Sequence, residues 1–362
     1  MLLDSSAAII SYHIIFTIGI IPLILAAMVH FVPVLVRSKK PNKWISRLPL
    51  LALFSGILIT CHFTLPQTVT TGHYMGAMID IIVVTSLAAW AFNLRNKCIG
   101  APHPCLNWYL TAMMCLLIAL VAISAIYFIP AQRSALRLLH LHLNTLGFIG
   151  ITAIGTLQVL LPTAARRPDP MVASRMHPHL KWMVFGTLIT ACSTAWHPKL
   201  AWVGVTLLAI PVLSILKSWL KLYRVEIFNW NGATPALAAA LVGYVVALVI
   251  CSTRAYHHPS FNPIASFIIV FLMPLVTGAV SFLLPLWLRP GQQTAWHQEA
   301  RNTLGANSIL RASGFLIGGV MVAIGHSSGW YLAVLAAGTF LIQILLLLLS
   351  KRIFKVLRGR LE

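Results

Sequence analysis

Acidic side chains are scarce in this chain of 362 residues, which has 6 Asp and Glu against 26 Lys and Arg. Charged residues of both signs make up only 9% of the chain, whereas a soluble domain carries about 25%, so the composition excludes a soluble domain. Six cysteines in so long a chain also exclude a small disulfide scaffold. Because 59% of the residues are hydrophobic, we predict a polytopic membrane protein with the lipid bilayer as its main partner.

Eleven apolar segments are long enough to cross a bilayer as helices, which takes about 20 residues each. They lie near 7–36, 47–65, 72–94, 106–130, 137–163, 179–196, 198–220, 233–252, 262–288, 307–326 and 329–350. The predicted fold class is therefore all-α, a polytopic membrane bundle forming a single transmembrane domain over residues 1–362. The first segment is too long for a signal peptide and has no basic stretch before it, so no cleavage is expected.

The cations are concentrated on one side of the predicted membrane. Placing the connections alternately on the two sides puts 22 of the 26 Lys and Arg on one side. The four on the other side are Arg133, Arg137, Lys199 and Arg254. By the positive-inside rule we expect the N-terminus outside and the C-terminus in the cytoplasm, most simply in a bacterial inner membrane. Since topology and anionic lipid account for these cations, no nucleic-acid partner is expected.

Three of the segments end in the same pattern, a proline followed four residues later by an arginine. The pairs are Pro33/Arg37, Pro162/Arg166 and Pro285/Arg289, and the small residues seven positions before each proline are Ala26, Gly155 and Gly278. The spacing between the prolines holds about four spans. The pattern predicts internal units near 7–130, 137–252 and 262–350, arranged as pseudo-three-fold arcs of four helices with the last arc one helix short.

Histidines are numerous, 14 in all, and nine fall at or near the predicted outer ends of the spans. Ionisable residues inside a membrane are usually functional, and imidazole is a common ligand of haem iron, copper and zinc. His13 and His142 each lie 20 residues before the proline of their repeat, so they are equivalent positions, and the ninth span has Ala265 there. His140 and His142 point about 200° apart on a helix and can serve two different sites.

These positions give two sets of candidate ligands. The cofactor-binding candidates are His13, His140 and His142, and the metal-binding candidates are His142, His62, His73, His197, His257 and His258. The alternative for any one of them is a hydrogen-bonded residue at the membrane interface.

Asp80 is the only carboxylate inside a predicted span, and it lies seven residues after His73 on the same helix face. A lone acid in apolar surroundings is costly, so we expect Asp80 to act in catalysis, either by orienting a histidine ligand or by relaying protons. The alternative is a structural contact between helices.

The fifth span reads HLHLNTLGFIGITAIGTLQVLLP, from His140 to Pro162. It resembles a core helix of the C-type haem–copper oxidases and the related nitric-oxide reductases. That helix has His-x-His, then Leu-Gly-aromatic, further glycines and a closing proline. The matching residues are His140, His142, Leu146, Gly147, Phe148, Gly150, Gly155 and Pro162. Elsewhere the likeness is architectural, since eleven spans fit the twelve-helix core without its first helix, and the superfamily includes NnrS-type single-chain members.

The resemblance allows two alignments. By motif, the fifth span is similar to the tenth family helix, whose two histidines bind the two haems. By count it is similar to the sixth, which supplies a copper ligand. Both alignments make His142 a ligand, and the count makes His13 a ligand of a low-spin haem. The chain departs from the family in having no tyrosine on its sixth span and no glutamate in the middle of a span, the residues that dioxygen and nitric-oxide reduction use there.

The resemblance therefore implies a haem-binding, or haem–copper, membrane protein that handles nitric oxide or dioxygen in redox or nitrosative-stress chemistry. Haem of type b is the expected cofactor, because no Cys-x-x-Cys-His motif is present, and copper is a further one. An electron donor and additional subunits are expected partners. If the chain is an enzyme, it is an oxidoreductase acting on one of these gases. The alternatives are a non-enzymatic membrane carrier or assembly factor for haem or copper, and a structural subunit.

Overall fold

The computed structural model describes residues 6–65, 72–254 and 263–349, and within them the chain is helical without a β-strand. In this part of the chain ten helices are long and apolar enough to cross a membrane. With one further long helix they are, in chain order, α1 (Ile9–Leu35), α2 (Lys43–Thr64), α3 (Gly72–Asn96), α4 (Cys105–Tyr127), α5 (Pro130–Ala164), α6 (Val172–Trp196), α7 (Pro198–Leu222), α8 (Thr234–Thr253), α9 (Pro263–Leu288), α10 (Ala295–Ala323) and α11 (Ser328–Leu349). The chain is thus an all-α polytopic membrane protein, as the sequence predicts.

Helix α6 is the one outside the ten, although it is 25 residues long. It begins at Val172, seven residues before the predicted start of the apolar segment, and the polar residues Arg175, His177 and Lys181 lower the hydropathy of its first turns. Pro178 lies inside the helix. The helix therefore continues beyond the apolar segment that hydropathy identifies.

Helix α10 consists of two helical pieces, Ala295–Leu304 and Ser308–Ala323. Between them Asn307 has a left-handed backbone conformation, with φ at 52°, which breaks the helix. The first piece was not predicted as part of a span, since it is amphipathic rather than uniformly apolar. It packs its apolar face against Phe340 and Leu347 of α11.

The helices form two compact units. Unit 1 comprises Met1–Thr156 and Pro170–Pro211, which hold α1–α4, most of α5, α6 and the first half of α7. Unit 2 comprises Leu157–Asp169 and Val212–Glu362, which hold the ends of α5 and α7 together with α8–α11. The single domain of three arcs remains a prediction.

Small residues bring α1, α2 and α3 close together in unit 1. A Cβ atom on Gly56 would overlap the backbone carbonyl of Thr17, and a Cβ atom on Gly76 would overlap the side chain of Ile59. Glycine is required at both places because the neighbouring helix occupies the volume of a side chain. This close approach places three of the candidate histidines at one end of the unit.

Three helices contain a π-helical segment, in which the backbone N–H bonds to the carbonyl five residues earlier. The segments are Ile14–Ile20 in α1, Leu143–Ile151 in α5 and Ile268–Leu272 in α9. These are the three helices of the proline repeat, and the first two segments each begin 19 residues before the proline of their helix. π-helical turns are rare and are often found at functional sites. Their recurrence in these three helices supports the repeat, and the residues beside them are candidates for a functional site.

Candidate functional site

His13 and His142 immediately precede the π-helical segments of α1 and α5. In each ring Nδ1 lies 2.8 Å from the carbonyl oxygen four residues earlier, that of Ile9 for His13 and that of Leu138 for His142. The equivalence predicted from the proline spacing therefore extends to side-chain geometry. Since a carbonyl oxygen only accepts hydrogen bonds, Nδ1 carries the proton of each neutral ring and Nε2 keeps its lone pair.

A second contact favours the same tautomer of His142. The Thr194 hydroxyl on α6 lies 3.2 Å from His142 Nδ1, and it donates its own proton to the carbonyl of Thr190 at 2.9 Å. The Thr194 oxygen can therefore only accept a hydrogen bond from the Nδ1–H of His142. A histidine held through Nδ1 by oxygen acceptors, with Nε2 open, has the arrangement usual for a metal-bound histidine.

His140 faces the other side of α5. Its Nδ1 lies 2.9 Å from the carbonyl oxygen of Ala119 on α4, and the Asn144 amide nitrogen lies 3.3 Å from both ring nitrogens. His140 also interacts electrostatically with His13 of α1. The opposite directions of His140 and His142 agree with the angle expected on a helix.

Further rings lie on α2 and α3, and one of them, Phe63, lies beside His13. The ring centroids of His62 and His73 are 4.2 Å apart, and those of His13 and Phe63 are 4.6 Å apart. The His73 ring also lies 3.8 Å from that of Tyr74, and His73 Nδ1 is buried without a hydrogen-bond partner. The structure therefore brings His62 and His73 together as a pair, and Phe63, the residue after His62, contacts His13.

Asp80 lies on α3, two turns after His73, in the closely packed region between α2 and α3. Its side chain is 4% exposed and lies beside Ser55, while Oδ1 has no hydrogen-bond partner among the described residues. The Ser55 hydroxyl donates its proton to the carbonyl of Gly76 at 2.7 Å. Seven residues correspond to about 10 Å along the helix axis, so Asp80 lies near the histidine pair without being adjacent to it.

The remaining metal candidates do not join these groups. His197 is exposed in the turn between α6 and α7, and His257 and His258 lie outside the described residues. In the described ranges, no three His, Cys, Asp or Glu side chains come together in a way that would hold a metal ion. The candidate metal-binding histidines that the structure describes therefore lie in pairs or singly, and they do not form one metal centre.

Two partners of these histidines were not identified from the sequence. The contact of Asn144 with His140 could have been predicted from the sequence, because residues four positions apart lie on the same face of a helix. The contact of Thr194 with His142 could not, since it depends on the packing of α6 against α5.

The donor set fits haem iron, for which neutral imidazole nitrogens from facing helices are ordinary axial ligands. His13 and His142 meet the further requirement that the distal ring nitrogen be held by an acceptor. No family model, curated protein or solved structure matches this chain, so its function has to be inferred from these residues and their geometry.

Proposed function

We propose that this integral membrane protein binds haem through the histidines at one end of unit 1, and that the bound haem reacts with nitric oxide or dioxygen. The observation that carries the proposal is the matched anchoring of His13 and His142, each bonded through Nδ1 to a carbonyl four residues earlier. His13 and His140 are the candidates for one site between α1 and α5. His142 faces α6 and is the candidate ligand of a second site.

Bound haem would supply the iron to which the gas ligates. The chain's own residues would fix the ligands, since Ile9 orients the His13 ring while Leu138 and Thr194 orient the His142 ring. Asp80 would hold a proton in the apolar region beyond His73, where Oδ1 has no other partner. Energy-conserving reduction of dioxygen needs sustained proton delivery through the membrane. Because Asp80 is the only carboxyl group in the predicted spans, a nitric-oxide-related or accessory role is favoured.

The cation distribution supports an inner-membrane location with the N-terminus outside. In that orientation the histidines lie near the outer surface, where a separate electron donor and a diffusing gas both have access. Copper is part of the proposal as a second metal, with His62 and His73 as its paired ligands.

The test is optical spectroscopy of the full chain, purified in mild detergent and supplied with haem. We expect a Soret band that shifts when nitric oxide is added to the reduced protein, and iron bound in a fixed ratio to protein. His13→Ala and His142→Ala should each weaken or alter the band. His177→Ala is the matched control, because His177 is an exposed histidine at the start of α6. A protein that remains free of iron and colourless after haem is supplied would exclude the proposal.

A carrier or assembly factor for haem or copper is the second candidate. It is favoured by the arrangement of the histidines in pairs, with no three-ligand group in the described residues, because a site with few ligands releases a metal readily. Exchange experiments separate the two functions. Haem or copper that transfers to an acceptor protein within minutes supports a carrier, whereas retained, gas-reactive haem supports the first proposal.

A further inference from the structure

Arg311 is a buried cation in α10 of unit 2. Its side chain is 3% exposed. The guanidinium group donates to the carbonyl oxygens of Leu304 and Ala306 at 3.1 and 3.2 Å, and to Gln343 Oε1 at 2.8 Å. It also lies over the Phe340 ring, 4.8 Å from the centroid. Among the described residues, none of these partners is a carboxylate that could neutralise the guanidinium.

Two donor groups near this cation have no hydrogen-bond partner in the part of the chain that the structure describes. They are the buried Arg311 Nε–H and the hydroxyl of Ser308, a residue that is completely buried. Ser308 is the first residue of the helical piece Ser308–Ala323 and precedes Arg311 by three positions, so the two side chains share a face. Because the Arg311 guanidinium reaches carbonyls that precede this piece, its side chain folds back past Ser308.

The start of the helical piece adds positive potential at the same place. Backbone N–H groups at a helix N-terminus and the helix dipole both favour a bound anion. The loop before α8 covers this N-terminus, since Trp230 donates to the Asn307 side chain at 2.8 Å and the Asn307 N–H donates to the Asn231 side chain at 2.9 Å. The loop also accepts from the first turn, because the Ile309 N–H donates to the Trp230 carbonyl at 3.4 Å. A site enclosed by this loop and by buried side chains suits a small ion rather than a lipid headgroup.

We infer that the Ser308 hydroxyl and the Arg311 Nε–H, at the start of Ser308–Ala323, form a binding site for a small monovalent anion of the size of chloride. The anion accepts both unsatisfied hydrogen bonds and neutralises the buried guanidinium. An unpaired buried charge is costly, and a counter-ion held by several donors removes most of that cost. The site is independent of the haem binding proposed for unit 1.

The test uses the purified full chain in detergent, with sodium chloride replaced stepwise by sodium gluconate at constant ionic strength. The readouts are the thermal unfolding midpoint and the chloride-35 NMR linewidth, with bromide as competitor. Ser308→Ala removes one donor and leaves Arg311 in place. Ser308→Thr keeps the hydroxyl, and Ser328→Ala is the matched control at the exposed first residue of α11.

We expect chloride to raise the unfolding midpoint of the wild type and to broaden the chloride signal until bromide competes. A hydrogen bond to a charged group corresponds to about a tenfold change in affinity, so Ser308→Ala should bind chloride about tenfold more weakly. Ser308→Thr and Ser328→Ala should bind as the wild type does. Chloride bound at the many surface cations affects all four proteins equally. If Ser308→Ala and the wild type respond to chloride alike, the proposed site does not exist.

Discussion

Arg37 and Arg166 have the same left-handed backbone conformation, with φ at 54° in both. Each lies four residues after the repeated proline near the end of its helix, Pro33 or Pro162. The residue after each arginine donates its N–H to the carbonyl of that proline, at 2.9 and 3.1 Å. This is the geometry in which glycine commonly ends a helix. Two arginines therefore occupy positions where the backbone favours glycine, and the positive-inside rule supplies a reason for the charge.

Replacing Arg37 by glycine should stabilise the protein, because a non-glycine residue with left-handed backbone costs about 1 kcal/mol. Arg37→Ala removes the same charge but keeps the strain, so it should not stabilise. Arg289→Gly is a second control, since the third arginine has φ at −131°. Thermal unfolding in detergent measures all three, and equal effects of Arg37→Gly and Arg37→Ala would contradict the explanation.

Removing the Thr194 hydroxyl should loosen the orientation of His142. If His142 binds haem or a metal, Thr194→Val should weaken the affinity roughly tenfold, as loss of a partner of a ligating histidine usually does. Thr194→Ser keeps the acceptor and should restore binding. Haem titration followed in the Soret region measures the effect, and an unchanged affinity in Thr194→Val would show that this contact does not support a ligand.

Two glycine-to-alanine changes should have opposite effects on stability. A Cβ atom on Gly243 would overlap the carbonyl group of Val270, so Gly243→Ala should destabilise unit 2 by about 3 kcal/mol. Gly338 lies inside α11, and apart from its own helix no atom of the described residues lies within 4 Å of the place that a Cβ atom would take, so Gly338→Ala should stabilise by about 0.5–1 kcal/mol. The unfolding midpoints of the two variants test whether α8 and α9 approach as closely as the structure has them.

The Glu226 carboxylate should contribute to stability in a pH-dependent way. Its hydrogen bond with the Arg167 guanidinium, at 2.9 Å, holds the pKa of Glu226 below its usual value of 4.5. A lowered pKa means that the pair stabilises the protein at pH 7 and that this contribution disappears as the pH falls below 4.5 through the lowered pKa. Because Arg167 is largely exposed, the contribution is less than about 1 kcal/mol. Glu226→Gln should therefore be slightly less stable than the wild type at pH 7, and thermal unfolding should show this difference disappearing as the pH falls below the lowered pKa of Glu226.

Ten of the eleven predicted spans correspond to helices that are long and apolar enough to cross a membrane, because hydropathy specifies them, whereas α6 is not among the ten. The ends of α6 and α10 were not predictable, since helices continue beyond the apolar region when polar turns still form backbone hydrogen bonds. For α10, the break at Asn307 depends on one backbone angle, and the amphipathic piece before it depends on packing against α11.

The histidines were partly predictable. The proline spacing identified His13 and His142 as equivalent, and the step of 100° per helical residue put His140 on a different side. The pairing of His62 with His73 was not foreseen, because it depends on how α2 packs against α3. The π-helical segments were also missed, since apolar composition does not distinguish hydrogen bonds over four residues from those over five.

A π-helical turn holds more residues than an α-helical turn, so it changes the angle between the parts of the helix on either side of it. The direction of each side chain on the first part of α5, relative to Gly155, therefore depends on the π-helical segment Leu143–Ile151. If this segment became regular α-helix without loss of a residue, the rings of His140 and His142 would point in other directions. The sides of α5 that the two histidines face are thus set partly by backbone hydrogen bonds that follow them in the chain.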